Sequence, residues 1–112
     1  MDDDMAMADA RLLALFRDVG YRLSSVPGVI DGTKVEDREN RYLFAWHRNP
    51  HHLLFYIRHP ALELRSTLRQ SAISKHGADD VRRNPAGETL ITLRSDDDAR
   101  KLGEWLKPKL PL

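Results

Sequence analysis

Residues 41 to 61, RYLFAWHRNPHHLLFYIRHPA, constrain this chain more than any other stretch. Five of its eight aromatic residues are here (Tyr42, Phe44, Trp46, Phe55 and Tyr56), with four of its five histidines. Pro50 and Pro60 leave too little room for a helix between them, because proline removes a backbone donor and clashes with the preceding turn. The apolar runs on either side of Asn49-Pro50 are short, aromatic and turn-bounded, as strands are. The stretch therefore predicts a β-hairpin. Its strands are Tyr42 to Trp46 and Leu53 to Arg58, and His47 to His52 connect them. Strict alternation sets Tyr42, Phe44 and Trp46 on one face and Leu43 and Ala45 on the other. Both faces are largely apolar, so these should be central strands, covered by helices on one side and partly covered on the other.

Other elements follow from periodicity and turn chemistry. Met7 to Val19 carries Leu12, Leu15, Phe16 and Val19 at three- and four-residue spacing, which predicts a helix stopped by Gly20. Residues 1 to 5 read as loose. Tyr21 to Val29 reads as a connector with a Pro27-Gly28 turn, and Thr33 to Glu36 as a short strand. A three-stranded antiparallel meander is the simplest arrangement of that strand and the hairpin. Leu62 to His76 reads as one helix ended by Gly77, and Ala78 to Glu88 as a polar loop with strong turn residues at Asn84 to Gly87. Thr89 to Arg94 predicts a further strand. Ser95 caps a last helix whose first turn holds Asp96, Asp97 and Asp98, and Pro108 ends it.

The fold class is then α+β: a single domain over 1–112, with a mainly antiparallel sheet of about four strands and helices packed on it. The first and last helices should meet the sheet through Leu12, Phe16, Leu102 and Leu106. The 112 residues are 41% hydrophobic and 31% charged, enough apolar material for one core. With no cysteine, thiol catalysis, disulfides and cysteine-ligated zinc are excluded within this chain. No segment reaches the roughly 20 apolar residues of a membrane span, and the acidic start lacks a signal peptide's basic and apolar regions. A cytoplasmic protein with no membrane partner is the expectation.

The net charge of +1 gives no global pull toward nucleic acid. Locally, Arg41, Arg48, Arg58, Arg65, Arg69 and Lys75 face only Glu63 between Arg41 and His76. Arginine beside tyrosine, tryptophan and histidine is suited to gripping phosphates and stacking on bases. The expected binding face comprises Arg48, His51, His52, Arg58, Arg65 and Arg69, with Arg65 and Arg69 four apart on one helix face. A solvated basic surface over an aromatic core is the plainer account of the same residues.

Catalytic signals are thin. There is no nucleophile elbow and no phosphate-binding Gly-rich loop. Asp31-Gly-Thr-Lys34 has residue types of a nuclease cluster without the spacing. His47, His51, His52 and His59 could in principle ligate a metal and support a hydrolase, but His51 and His52 are adjacent, so they point apart in an extended chain, and no His-Glu-x-x-His helix is present. A binding or accessory module is expected over a catalyst, with no cofactor, no metal site and no catalytic residue. Its partner would be nucleic acid or, alternatively, another protein.

A Val-Pro-Gly-Val turn at Val26 to Val29, the aromatic strand pair, the strand Gly-Glu-Thr-Leu-Ile-Thr-Leu at Gly87 to Leu93 and the Ser-Asp-Asp-Asp-Ala helix start follow a short N-terminal helix. This order resembles small bacterial domains of unknown function of the MmcQ/YjbR-like type. The resemblance rests on apolar pattern and turns across most of the chain. It implies an α+β fold and a nucleic-acid connection, and it carries over no functional residue.

Overall fold

The computed structural model describes residues 1–26, 28 and 31–112. The Pro27-Gly28 turn expected at Val26 to Val29 falls largely outside them. The described elements are α1 (Asp3–Val19), β1 (Arg22–Ser25), β2 (Gly32–Glu36), β3 (Tyr42–Arg48), β4 (Leu53–Ile57), α2 (His59–Leu64), α3 (Leu68–His76), β5 (Val81–Arg83), β6 (Thr89–Leu93) and α4 (Asp96–Leu106). The fold is α+β. The strands form one antiparallel sheet in the order β1-β2-β3-β4-β6-β5.

The sheet has six strands where about four were expected. The expected meander is present as β2-β3-β4. The two additional strands are the edges. Arg22–Ser25 and Val81–Arg83 are too short and polar to stand out by pattern, and each gains strand geometry from its neighbour's ladder. Charged, short edge strands also discourage further strand addition.

The first helix begins at Asp3, earlier than its apolar stripe suggested, so residues 3 to 5 lie within it. The Asp2 side chain accepts the Met5 amide at 2.8 Å, which caps the helix, and Met5 is buried. Gly20 ends it with φ +85, where the left-handed conformation costs a glycine little. The helix expected over Leu62 to His76 is two helices. Arg65 leaves helical geometry at the end of α2, and α3 restarts at Leu68. This places Leu68 and Ala72 in the core. It also means that Arg65 and Arg69 do not share a helix face.

Strand parity decides what each face of the sheet carries. The core face takes Val35, Phe44, Trp46, Leu53, Phe55, Ile57, Ile91 and Leu93, all fully buried. Phe16 of α1 stacks into this face, with ring centroids 5.3 Å from Phe44, 5.9 Å from Trp46 and 6.2 Å from Phe55. Leu12, Leu102 and Leu106 are buried in the same cluster, as expected. A bulge interrupts the β2-β3 pairing: Val35 opposes Phe44, but Glu36 opposes Tyr42. The extra residue is Leu43, and it breaks the alternation. Leu43 and Phe44 are both buried in the core, and Tyr42 moves to the opposite face. The expectation that Tyr42 shares a face with Phe44 and Trp46 is corrected by this one inserted residue.

Candidate functional site

Among the described residues, no helix packs over the centre of the opposite face of the sheet. Its side chains follow from the registers: Lys34 and Glu36 on β2, Tyr42, Ala45 and His47 on β3, Leu54 and Tyr56 on β4, Leu90 and Thr92 on β6, and Arg82 on β5. Two depressions mark it. One, of about 180 Å³, is lined by Tyr42, Ala45, His47, Tyr56, Arg58 and Glu88. The other, of about 480 Å³, is lined by His51, His52, Leu54, Arg82, Thr92 and Arg94.

The centre of this face is aromatic, with the Arg58–Glu88 ion pair beside the rings. The His47 and Tyr56 rings lie 4.7 Å apart. Partial burial lowers the His47 pKa, opposed only by Glu88, so the imidazole favours its neutral form at pH 7. Partial burial likewise raises both Tyr42 and Tyr56, which keeps the phenols protonated. The Arg58 guanidinium lies 3.9 Å from the Tyr42 ring centroid and donates to Glu88 at 2.8 Å, while Lys34 approaches the same ring at 5.0 Å. Tyr42 thus already stacks with a guanidinium, while His47 and Tyr56 pair with each other at the centre of the face.

Around the hairpin the expected binding residues divide. Arg58, His51 and His52 lie on or beside the open face. His51 is 88% exposed in its side chain, with Nδ1 3.6 Å from an Asp2 carboxylate oxygen. Arg48 turns to the core side. There it donates to Asp9 at 2.8 Å and Asp31 at 3.1 Å, and also to the Thr33 hydroxyl. The same Asp9 oxygen accepts from the Trp46 indole at 2.8 Å. Arg69 donates to the Thr89 hydroxyl at 2.7 Å and the Gly87 carbonyl at 2.6 Å, tying α3 to the sheet. Arg65 is exposed at the end of α2. The six residues therefore do not form one patch.

The local excess of arginine is partly cancelled by acids from elsewhere in the chain. Arg41 pairs with Asp37, Arg48 with Asp9 and Asp31, and Arg58 with Glu88. A charge count along a window cannot register these partners. The histidines also separate. His47 is at the centre of the open face, His59 lies against Gly87 in the β5-β6 turn, and no group of three His, Cys, Asp or Glu side chains converges as a metal site requires among the described residues. Asp96 accepts two hydrogen bonds from Arg11, at 2.7 and 2.9 Å, and Asp98 bonds the Arg94 amide, so these acids serve the start of α4 and its clamp to α1. Ser95 accepts the Asp98 amide at 3.0 Å, the expected cap.

A cleft of about 720 Å³ runs between α1 and α4 on the helical side. Its cations are paired: Arg11 with Asp96, Arg100 with Asp97 and Glu104, and Lys107 with Asp18. Arg82 was missed by sequence reasoning because it lay in an apparent loop. Its pairing opposite Leu90 brings it to the open face, and among the described residues it has no carboxylate partner within 4.0 Å. No helix among the described residues is long and apolar enough to cross a membrane. No family model, curated protein or solved structure matches the chain.

Proposed function

We propose that this chain is a binding module whose open sheet face takes single-stranded nucleic acid. The observation that carries the proposal is the trio Tyr42, His47 and Tyr56 on a face with, among the described residues, no helix over its centre, beside Lys34, Arg58, Arg82 and Arg94. Flat aromatic surfaces accept unpaired bases of any sequence, and the surrounding cations engage the backbone. A duplex hides its base faces by stacking, so it offers this surface only its phosphates.

The test is a fluorescence-anisotropy titration with a short single strand and its duplex, over a series of salt concentrations. The single strand should bind more tightly, and its affinity should fall linearly with salt on logarithmic axes. Tyr56→Ala should weaken binding by about 1–3 kcal/mol, the usual worth of one stacked base. An absence of binding at low salt, or full affinity in Tyr56→Ala, would discard the nucleic-acid reading. Another protein would then be the partner to test.

A further inference from the structure

We infer that the cleft at the hairpin end of the open face is a site for a terminal phosphate monoester, the end of the strand bound along that face. The inference rests on the nucleic-acid proposal above and gives the surface a direction.

The two ends of the face differ in how their cations are satisfied. Toward β1 and β2, Arg22 and Lys34 both approach Glu36, at 3.2 and 3.5 Å, and at the centre Arg58 is paired with Glu88. At the hairpin end, strands β4, β5 and β6 bring donors together around the cleft of about 480 Å³. Leu54 opposes Thr92, so continuing the register by two rows sets His52 opposite Arg94. Arg82 opposes Leu90 and reaches the same cleft from the edge strand. Arg94 uses one nitrogen on Asp80, which leaves the rest of its guanidinium available. Among the described residues, no side-chain hydrogen bond engages Arg82, His52 or the Thr92 hydroxyl.

Arg94 is paired with Asp80 and Asp2 lies 3.6 Å from His51 at the rim, so the cation left for a ligand in the cleft is Arg82, which has no carboxylate partner among the described residues. An internal phosphodiester brings one charge and two free oxygens. A monoester brings about −1.5 to −2 and three acceptor oxygens, which better matches donors from Arg82, Arg94, Thr92 and the imidazoles. The cleft adjoins the aromatic centre through Leu54 and Tyr56, two residues apart on β4. A strand anchored here by its end would lead its first bases onto Tyr56 and His47.

The experiment compares one short oligonucleotide in three forms: 5′-phosphorylated, 3′-phosphorylated, and hydroxyl at both ends. One phosphorylated form should bind at least about fivefold more tightly than the hydroxyl form, a difference near 1 kcal/mol. Which form is preferred reports the direction of the strand. The double variant Arg82→Ala, His52→Ala should bind all three forms alike. Arg82→Lys, which keeps the charge but loses the planar fork, should retain only part of the preference. Equal binding of the three forms by the wild type would overturn the site and leave the open-face proposal standing. Amide shifts at Arg82, Thr92 and Arg94 with inorganic phosphate, but no binding of any oligonucleotide, would overturn both the strand-end assignment and the nucleic-acid proposal.

Discussion

The two faces of the sheet are built from alternate residues of the same strands, yet they are held by different physics. On the helical face Phe55 is fully buried among Phe16, Phe44 and Trp46. One residue later, Tyr56 stands half-buried beside His47 with a protonated phenol and, among the described residues, no helix above it. Neighbours in sequence therefore belong to different environments. Composition by window mixes them, and the hairpin's aromatic richness is the sum of a core and a surface. Arginine divides in the same way: Arg48 is a half-buried core-side tie, whereas Arg82 is exposed with no carboxylate partner among the described residues.

The largest effect should come from adjacent truncations on opposite faces. Phe55→Ala removes a buried ring and leaves a cavity, and should destabilise by about 3–5 kcal/mol. Tyr56→Ala should cost less than about 1 kcal/mol, as surface positions usually do. Urea denaturation midpoints measure both. Comparable losses would mean that the open face is also load for the core, and the contrast would fail.

A smaller difference is expected between the two arginines. Arg48→Ala breaks the hydrogen bonds to Asp9, Asp31 and Thr33 and should cost about 2 kcal/mol, in line with bonds to half-buried charged groups. Arg82→Ala should change stability by no more than about 0.5 kcal/mol. The same denaturation series checks both, and a destabilised Arg82→Ala would assign it a structural role instead.

The smallest effect concerns pH on the helical side. The His76 Nε2 is buried without a partner among the described residues, and its ring meets Trp105 edge-on at 5.8 Å. Burial lowers its pKa below 6.5, with Asp98 and Asp80 opposing and Lys75 and Lys101 adding to the shift. A lowered histidine is protonated more readily in the unfolded chain. The stability it permits is present above about 6.5 and is lost as pH falls from there toward the folded-state value. His76→Phe should flatten that part of the stability–pH curve. His47, lowered by partial burial on the open face, should leave a residual slope. An unchanged slope in His76→Phe would place the titration elsewhere.

Much of the fold was legible because it rests on local chemistry. The Gly20 and Gly77 stops, the Ser95 cap, the Asn84 to Gly87 turn and the central hairpin depend on interactions within a few residues. The Asn84 side chain accepts the Glu88 amide at 2.9 Å and donates to the Glu88 carboxylate at 3.0 Å. The candidate site was only partly legible. His52 and Arg58 could be singled out, and they lie at the open face. Arg82 could not, because Val81–Arg83 has no strand signal apart from its neighbour β6.

The sequence by itself determined the class of fold, the central hairpin, the helix boundaries at Gly20, Gly77 and Ser95 and the principal core side chains, since periodicity and capping operate over one or two turns of chain. Tertiary structure decided the rest. The Leu43 bulge sent Tyr42 to the open face, the break at Arg65 separated it from Arg69, and the edge strands formed only against neighbours already in place. Above all, charge pairing was decided in three dimensions. Asp9 meets Arg48 across 39 residues and Glu88 meets Arg58 across 30. Coulomb interactions depend on distance in space, and separation along the chain does not reveal which cations are left for a ligand.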